Sequence, residues 1–316
     1  MSEPSATFAL QAVYTKGGGG VETAARHYGR MFRDLGIDSV CLYRGPSHEL
    51  MAQDLEVIEV AKQMASPIGA ALPLFGGLRR QILARAEGKA ILAVVHSPRM
   101  AGAIRRMFPG AKIIVPGHSD KVSGKLAADL VVALNPEQQA RFGAKAALLG
   151  NPYIEPAPPP LAPAKPGPPR VVFCARFTEV KDPAALLRAA PLIAAAPKPG
   201  LVFVGSGTLE DQVREAAKAC PLASRFEGWR ADPWAAFRQG DILVLPSSWE
   251  GLPYLLLEAL DRGLGVIASD IAGNRQALGE GAYGLIFKLG DDAALAAAID
   301  QALADPSRSV AGLFMT

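Results

Sequence analysis

The sequence predicts an α/β protein made of two doubly wound domains, and two observations lead to this fold class. Short apolar, often β-branched runs alternate with longer amphipathic segments through both halves of the chain, as in βαβ units with parallel sheets. A proline-rich segment separates the halves, with nine prolines among the eighteen residues 152–169. Because proline fixes φ and removes a backbone donor, this segment is predicted to be an extended linker.

We therefore expect an N-terminal Rossmann-like domain at residues 1–152, a linker at 153–169 and a C-terminal domain at 170–316. Ligands of such folds bind at the C-terminal edges of the strands, so a cleft between the domains is the expected binding place.

Each half contains six predicted strands. In the first half they are 7–13, 38–43, 55–60, 90–95, 112–116 and 129–134, and in the second half 170–175, 201–205, 224–228, 241–246, 264–269 and 284–287. The helical patterns that separate them include 21–36, 183–196 and 209–220.

Composition excludes several classes of protein. Half of the 316 residues are apolar and a fifth are charged, which is ordinary for a globular protein. A net charge of +3 does not indicate a nucleic-acid partner. Residues 1–155 carry 18 basic and 13 acidic side chains, which fits an acidic surface or substrate and fits unbiased scatter equally well. Three dispersed cysteines, no signal peptide and no spanning apolar run predict a cytoplasmic protein.

Four consecutive glycines, Gly17–Gly20, stand between the first predicted strand and the first helix. A bare backbone in front of a helix N-terminus can cradle a phosphate. A P-loop would need Lys-Ser/Thr after the glycines, and a dinucleotide site would need an acid after the second strand, where the sequence reads CLYRGP. A nicotinamide cofactor is thus weakly supported, and a turn without any ligand remains an alternative.

The segment 241–270 places two carboxylates eight residues apart. Glu250 is expected in the loop after a buried strand, and Glu258 on the apolar helix that follows. Carboxylates accept strong hydrogen bonds from sugar hydroxyls, and the backbone N–H groups of 251–255 would lie at a helix N-terminus suited to phosphate. The alternative is a solvated loop acid and a surface helix acid.

Cations and glycines follow the neighbouring strands. Arg176 and Lys181 come after the strand at 170–175, where Arg can chelate a diphosphate and Lys can act as a point charge. Gly205 and Gly207 form a second strand–glycine–helix turn. Trp229 and Arg230 follow the next strand, where a nucleotide base could rest; a core position for Trp229 is the alternative.

In this order, the glycine loop, ARFTEVKD, VGSGTLED, FEGWRAD, DILVLPSSWEGLPYLLLEAL and GVIASDIAG resemble the GT-B fold retaining glycosyltransferases of family 4. The resemblance is dense in the second half. In the first half it depends on the glycine loop and two histidines.

The resemblance implies a role for each matching residue. Arg176 and Lys181 would hold the donor diphosphate, Glu250 the sugar hydroxyls and Glu258 the ribose hydroxyls. His118 would lie near the reacting sugar, with His96 as a second candidate; either histidine could instead be structural. Backbone contacts to the sugar, the diphosphate or both would come from Gly19, Gly20, Gly251, Leu252, Pro253, Tyr254 and Leu255.

The implied activity is retaining, metal-independent transfer of a sugar from a UDP- or GDP-sugar to a cell-envelope glycan or lipid-linked acceptor. No metal or other cofactor is expected, because cations and a helix N-terminus can stabilise the leaving diphosphate. The amphipathic segment 67–89 could contact the inner face of the cytoplasmic membrane, but its pattern favours a loop and a core helix. Gln276, where the family usually has an acid, and the lack of long final helices before Thr316 suggest looser domain closure and reduced activity. A nucleotide-sugar 2-epimerase of the same fold and a nucleotide-sugar-binding protein without turnover remain alternatives.

Overall fold

The computed structural model describes residues 6–15, 19–46, 48–65, 75–119, 127–155 and 158–305. The chain divides into two compact units, residues 1–155 (the first unit) and 156–316 (the second unit). Gly17 and Gly18 lie outside the described residues, as does the stretch 66–74 of the expected membrane-contact segment.

The first unit contains a seven-stranded sheet with the order β3-β2-β1-β4-β5-β6-β7, in which all strand pairs are parallel. Its strands are β1 (Thr7–Tyr14), β2 (Ser39–Arg44), β3 (Val57–Glu59), β4 (Ala90–Val95), β5 (Lys112–Pro116), β6 (Leu130–Ala133) and β7 (Ala146–Leu148). Its helices are α1 (Gly20–Asp34), α2 (His48–Ala52), α3 (Gly76–Ala86), α4 (Ala101–Met107) and α5 (Pro136–Phe142). Apolar side chains of β1 pack into separate clusters because successive side chains point to opposite faces of the sheet.

The second unit contains a six-stranded parallel sheet with the order β10-β9-β8-β11-β12-β13. Its strands are β8 (Arg170–Cys174), β9 (Gly200–Val204), β10 (Ser224–Gly228), β11 (Ile242–Leu245), β12 (Gly265–Ser269) and β13 (Leu285–Phe287). Its helices are α6 (Ala185–Ala189), α7 (Glu210–Lys218), α8 (Tyr254–Asp261), α9 (Ala272–Ala277) and α10 (Asp292–Ala304). Two apolar clusters, one on each face, bury the sheet between helices.

Both sheets follow the doubly wound order in which the first and fourth strands are neighbours. The strand order reverses at β1 and β4 in the first unit and at β8 and β11 in the second. In open α/β sheets ligands bind beyond the carboxyl ends of the strands at this switch point. The fold class predicted from the sequence is confirmed, and the topology places the expected ligand-binding edge of each unit at its switch point.

Two local expectations need correction. The helix expected at 183–196 is only α6, continued by a short 3-10 turn that ends at Leu192. Pro191 lacks the N–H that a longer helix would use, and its ring clashes with the preceding turn. The sequence patterns also missed β7, a three-residue strand at the edge of its sheet. Among the described residues, no helix combines the length and the apolar character needed to cross a membrane.

Candidate functional site

Lys181 and Glu250 form an ion pair across the switch point of the second unit. Lys181 lies in the loop after β8 and Glu250 in the loop after β11, and the ammonium donates a hydrogen bond to Oε1 of the carboxylate. The side chain of Glu250 is 9% exposed and that of Lys181 21% exposed. The backbone joins the same two loops, since the N–H of Ser248 donates to the carbonyl of Val180 at 2.8 Å.

A second carboxylate of this edge, Glu258, lies on α8 and is held by an indole. Nε1 of Trp234 donates to Oε2 of Glu258 at 3.2 Å. The guanidinium of Arg262 stacks 4.3 Å from the centre of the Trp234 ring and donates through Nη1 to the carbonyl of Glu258 at 3.0 Å. The sequence reading did not include Trp234 or Arg262, because their contact with Glu258 depends on folding.

The start of α8 lies between these two carboxylates. Glu250 is in the loop and Glu258 on the helix, as expected, and Pro253 is the N-cap residue. Tyr254 is buried, and Leu252 and Leu255 pack against the apolar cluster on one face of the sheet. With these side chains directed to the core, Gly251, Leu252, Pro253, Tyr254 and Leu255 would offer a ligand mainly their backbone, as the family resemblance implies.

Gly205 and Gly207 let two loops approach closely. A methyl group on Gly205 would lie 2.0 Å from the carbonyl oxygen of Ala175, and one on Gly207 would lie 2.4 Å from that of Phe177. The N–H of Phe177 donates to the carbonyl of Ser206 at 2.9 Å, which joins the loops further. The exposed side chain of Arg176 lies on the loop fixed in this way.

Trp229 and Arg230 are at the end of β10. Trp229 is 65% exposed, so the alternative of a core position is wrong. Arg230 forms an ion pair with Glu227, which Arg225 also contacts. The pairing leaves Trp229 as the exposed apolar surface of this turn.

In the first unit, Glu22 organises the described end of the glycine loop. The N–H of Gly19 donates to Oε2 of Glu22 at 3.1 Å, and the hydroxyl of Tyr43 donates to Oε1. Gly19 has φ +152°, and methyl groups on Gly19 or Gly20 would meet no heavy atom of the described residues within 4 Å. The glycines thus border open space, as a phosphate-cradling loop requires. A Glu three residues after the N-cap, the half of a capping box that needs no N-cap side chain, is the sequence signal that could have identified Glu22.

His96 and His118 lie together at the carboxyl ends of β4 and β5. Nδ1 of His96 is 3.0 Å from Nε2 of His118, and the rings stack with centroids 5.3 Å apart. Nε2 of His96 is 2.8 Å from Oε1 of Gln11 on β1. Tyr28 meets His96 edge-on, with ring centroids 5.2 Å apart. His96, expected as a second candidate beside His118, is therefore part of the same cluster.

Burial determines the charge of this cluster. It lowers the pKa of His118 to about 4. Burial, and then the proximity of His118, hold the pKa of His96 well below its usual value of 6.5. At neutral pH both rings are therefore uncharged. Gln11 is fully buried, and a polar residue within an apolar strand is a signal that the sequence does carry, because buried amides need partners.

Comparison with known proteins agrees with this description of the fold. Residues 162–311 match the family model described as glycosyl transferases group 1. The chain is 30% identical over 141 residues to the lipopolysaccharide core biosynthesis glycosyltransferase LpsE of Rhizobium meliloti, covering 44% of this chain and 41% of that protein. It is 32% identical over 233 residues to the phosphatidyl-myo-inositol mannosyltransferase of Mycolicibacterium smegmatis, covering 71% of this chain and 58% of that protein. The chain thus spans less than two thirds of the length of these relatives.

The solved structure of Anabaena HepE in complex with UDP and glucose has the same fold, with a TM-score of 0.72 at 17% identity, covering 95% of this chain and 91% of that one. Two parallel, doubly wound sheets that match such structures define the GT-B fold of glycosyltransferases. Within that class, residues 162–311, nearly half of the chain, match the glycosyl transferases group 1 family.

Proposed function

We propose that the chain is a retaining, metal-independent glycosyltransferase that moves a hexose from a UDP- or GDP-sugar to a cell-envelope glycan or lipid-linked acceptor. The observation that carries the proposal is the Lys181–Glu250 ion pair at the switch point of the second unit. Glu250 in turn lies eight residues before Glu258, which the indole of Trp234 holds. One cation and two carboxylates at this edge suit a diphosphate between two hydroxylated sugars.

Each group then has a chemical task. Lys181 and Arg176 hold the diphosphate and stabilise the negative charge that grows on it as the sugar–phosphate bond breaks. Glu250 accepts hydrogen bonds from hydroxyls of the transferred sugar, and Glu258 accepts those of the ribose. Positive charge from side chains and from the start of α8 replaces the role that a metal ion has in other transferases. The acceptor attacks the face from which the diphosphate leaves, and a diphosphate oxygen takes its proton.

Donor binding exchanges partners within the site. Without a ligand, the carboxylate of Glu250 neutralises Lys181, so neither charge is buried alone. A bound nucleotide sugar brings the diphosphate to the ammonium and sugar hydroxyls to the carboxylate. The site therefore replaces one set of charged hydrogen bonds by another.

The acceptor and the location are argued from the relatives. LpsE is named for lipopolysaccharide core biosynthesis, and the Mycolicibacterium relative is a phosphatidyl-myo-inositol mannosyltransferase. An acceptor of the cell envelope, glycan or lipid-linked, follows by analogy, as does a cytoplasmic enzyme that works at the inner face of the membrane. UDP is the first nucleotide to test, since HepE was solved with UDP and glucose.

The experiment uses the full chain with UDP-, GDP-, ADP- and dTDP-sugars in a thermal-shift panel, because a ligand that binds the folded state raises the melting temperature. The sugar identified is then used to measure transfer in wild type, Lys181→Met and Glu250→Gln, with and without EDTA. Lys218→Met is the matched control, since Lys218 forms an exposed ion pair with Glu215 in the same unit.

We expect Lys181→Met and Glu250→Gln to lose transfer at least 100-fold, and wild type to keep its activity in EDTA. Lys218→Met should behave as wild type. Release of free nucleotide with epimerised sugar and no acceptor would support the 2-epimerase, and binding without turnover would support the binding protein. A melting temperature raised by NAD and by no nucleotide sugar would refute the proposal.

A further inference from the structure

The histidine cluster of the first unit forms a chain of hydrogen bonds with a direction. It begins at Gln11, which is fully buried on β1, passes through His96 and ends at His118, which keeps partial exposure. Each neutral imidazole carries one N–H and one lone pair, so the proton position on one ring determines the proton position on the next.

Oε1 of Gln11 faces Nε2 of His96 at 2.8 Å, and a carbonyl oxygen can only accept. Nε2 of His96 therefore carries the proton, and its Nδ1 has the lone pair. That lone pair lies 3.0 Å from Nε2 of His118, which must then donate. Nδ1 of His118 is left with a lone pair, and it makes no hydrogen bond within the described part of the chain.

The reverse chain is the alternative, with the Gln11 amide turned by 180° and both protons on Nδ1. With the Gln11 amide oriented so that Oε1 faces His96, the proton of both rings is on Nε2, the form that histidine prefers in water. It also requires both rings to be neutral, which agrees with the lowered pKa values that burial gives them.

We infer that Gln11 and His96 are positioning residues that hold His118 in the tautomer whose Nδ1 accepts a hydrogen bond from a substrate hydroxyl. The tautomer follows from the ring contacts together with the orientation of the Gln11 amide, whereas the hydroxyl depends on the proposed function. A His118 with this tautomer would not donate to a phosphate oxygen, so its partner is a sugar or acceptor hydroxyl rather than the diphosphate.

The packing around His96 makes the direction stable. His96 is 2% exposed, lies edge-on to Tyr28 and stacks on His118, so its ring has no room to turn. The carbonyl of Ala12 accepts the backbone N–H of His96 at 2.9 Å, which fixes the start of the loop after β4. The middle of the hydrogen-bond chain, His96, is thus attached to β1, the strand that carries Gln11.

The test is long-range 1H–15N spectroscopy of the ligand-free full chain with 15N-labelled histidine at neutral pH. The sequence has four histidines, and His27→Gln, His48→Gln and His118→Gln assign the signals. We expect a protonated Nε2 and an unprotonated Nδ1 for both His96 and His118. A proton on Nδ1 of His118 in wild type would overturn the inference.

Two variants test the dependence on neighbours. Gln11→Leu keeps the volume but removes the acceptor, and His96→Phe keeps a stacked ring but removes both hydrogen bonds. In each, the two ring nitrogens of His118 should shift toward an averaged, tautomer-exchanging signal, while the exposed control Gln139→Leu changes nothing. Unchanged His118 signals in a folded Gln11→Leu or His96→Phe would contradict the inference, and the wild-type spectrum decides if neither variant folds. The spectra are recorded without a nucleotide sugar, so they are independent of the transfer assay. The tautomer can be wrong while glycosyl transfer is confirmed, and the tautomer can be right while glycosyl transfer is refuted.

Discussion

Substitution of Gly205 by alanine tests how the loops of the second unit hold the cations. Gly205 has φ +128°, which alanine rarely adopts, and a methyl group there would lie 2.0 Å from the carbonyl oxygen of Ala175. An ordinary contact begins near 3.4 Å, so the two backbones would have to separate by about 1.4 Å. The backbone segment that must move is the peptide group of Ala175, and the next residue along the chain is Arg176.

The cost has two parts. An alanine at this φ adds about 1–3 kcal/mol of backbone strain, and overpacking against a backbone atom adds about 1–3 kcal/mol. We expect a combined loss of about 3 kcal/mol, which for a unit of this size lowers the melting temperature by roughly 10 °C. A displacement of about 1 Å at Arg176 should also reduce transfer about 100-fold.

The assays are the thermal transition of the full chain and the rate of transfer with the donor found by thermal shift. Gly228→Ala is the matched control, since Gly228 has φ +70° and no heavy atom of the described residues within 4 Å of a new methyl group. It should show backbone strain alone, about 1–2 kcal/mol, with transfer retained. If Gly205→Ala were as stable and as active as Gly228→Ala, the close approach would not be what fixes Arg176.

Three further predictions concern the other groups of the two edges. Trp234→Phe keeps a ring beneath Arg262 but removes the N–H that donates to Glu258. Calorimetry should therefore show nucleotide-sugar binding about fivefold weaker, roughly 1 kcal/mol, at an unchanged melting temperature. Unchanged affinity would show that the indole does not position Glu258. Gly273→Ala would bring a methyl group to 2.4 Å from the carbonyl oxygen of Glu250, so transfer should fall at least tenfold, and a fully active variant would contradict this account of the loop. Because the pKa of His118 is lowered in the folded state, the unfolded state binds more protons between pH 6.5 and about 4. The contribution of His118 to the free energy of unfolding is therefore complete above pH 6.5 and falls by roughly 2–3 kcal/mol as the pH drops toward 4. His118→Asn should reduce that slope in denaturant titrations at several pH values, and an identical pH dependence would exclude the burial effect.

The sequence predicted most strands because strands buried on both faces of a parallel sheet form continuous apolar runs. All twelve expected strands appear in the described residues, with ends shifted by a residue or two. β7 was missed because Ala146–Leu148 is short and contains no β-branched residue. The helix expected at 183–196 was too long, since the apolar pattern continues past Pro191 while the hydrogen bonding cannot.

The sequence predicted where the candidate residues lie in the second unit, but it did not predict which side chains they contact. The spacing of Glu250 and Glu258 placed one on a loop and one on a helix, because a strand end and a helix start can be read locally. Lys181 and Glu250 were both expected at the same edge, although their direct contact was not. Trp234 and Gln11 act across 24 and 85 residues of chain, and no local pattern encodes which distant group a buried polar atom meets.

The topology explains why the polar groups nevertheless converge. In each unit the loops after the first and fourth strands are tied together: Ser248 to Val180 in the second unit, and Ser97 to Tyr14 in the first, where the Ser97 hydroxyl accepts the N–H and donates to the carbonyl, both at 2.8 Å. These bonds close each switch point with backbone groups that would otherwise need water. In the second unit the side chains that follow, Lys181 and Glu250, lie within hydrogen-bonding distance of each other, and in the first unit so do His96 and Gln11, which come just before the tied residues. The position of a residue after a given strand therefore determines its neighbours more strongly than its distance along the chain does.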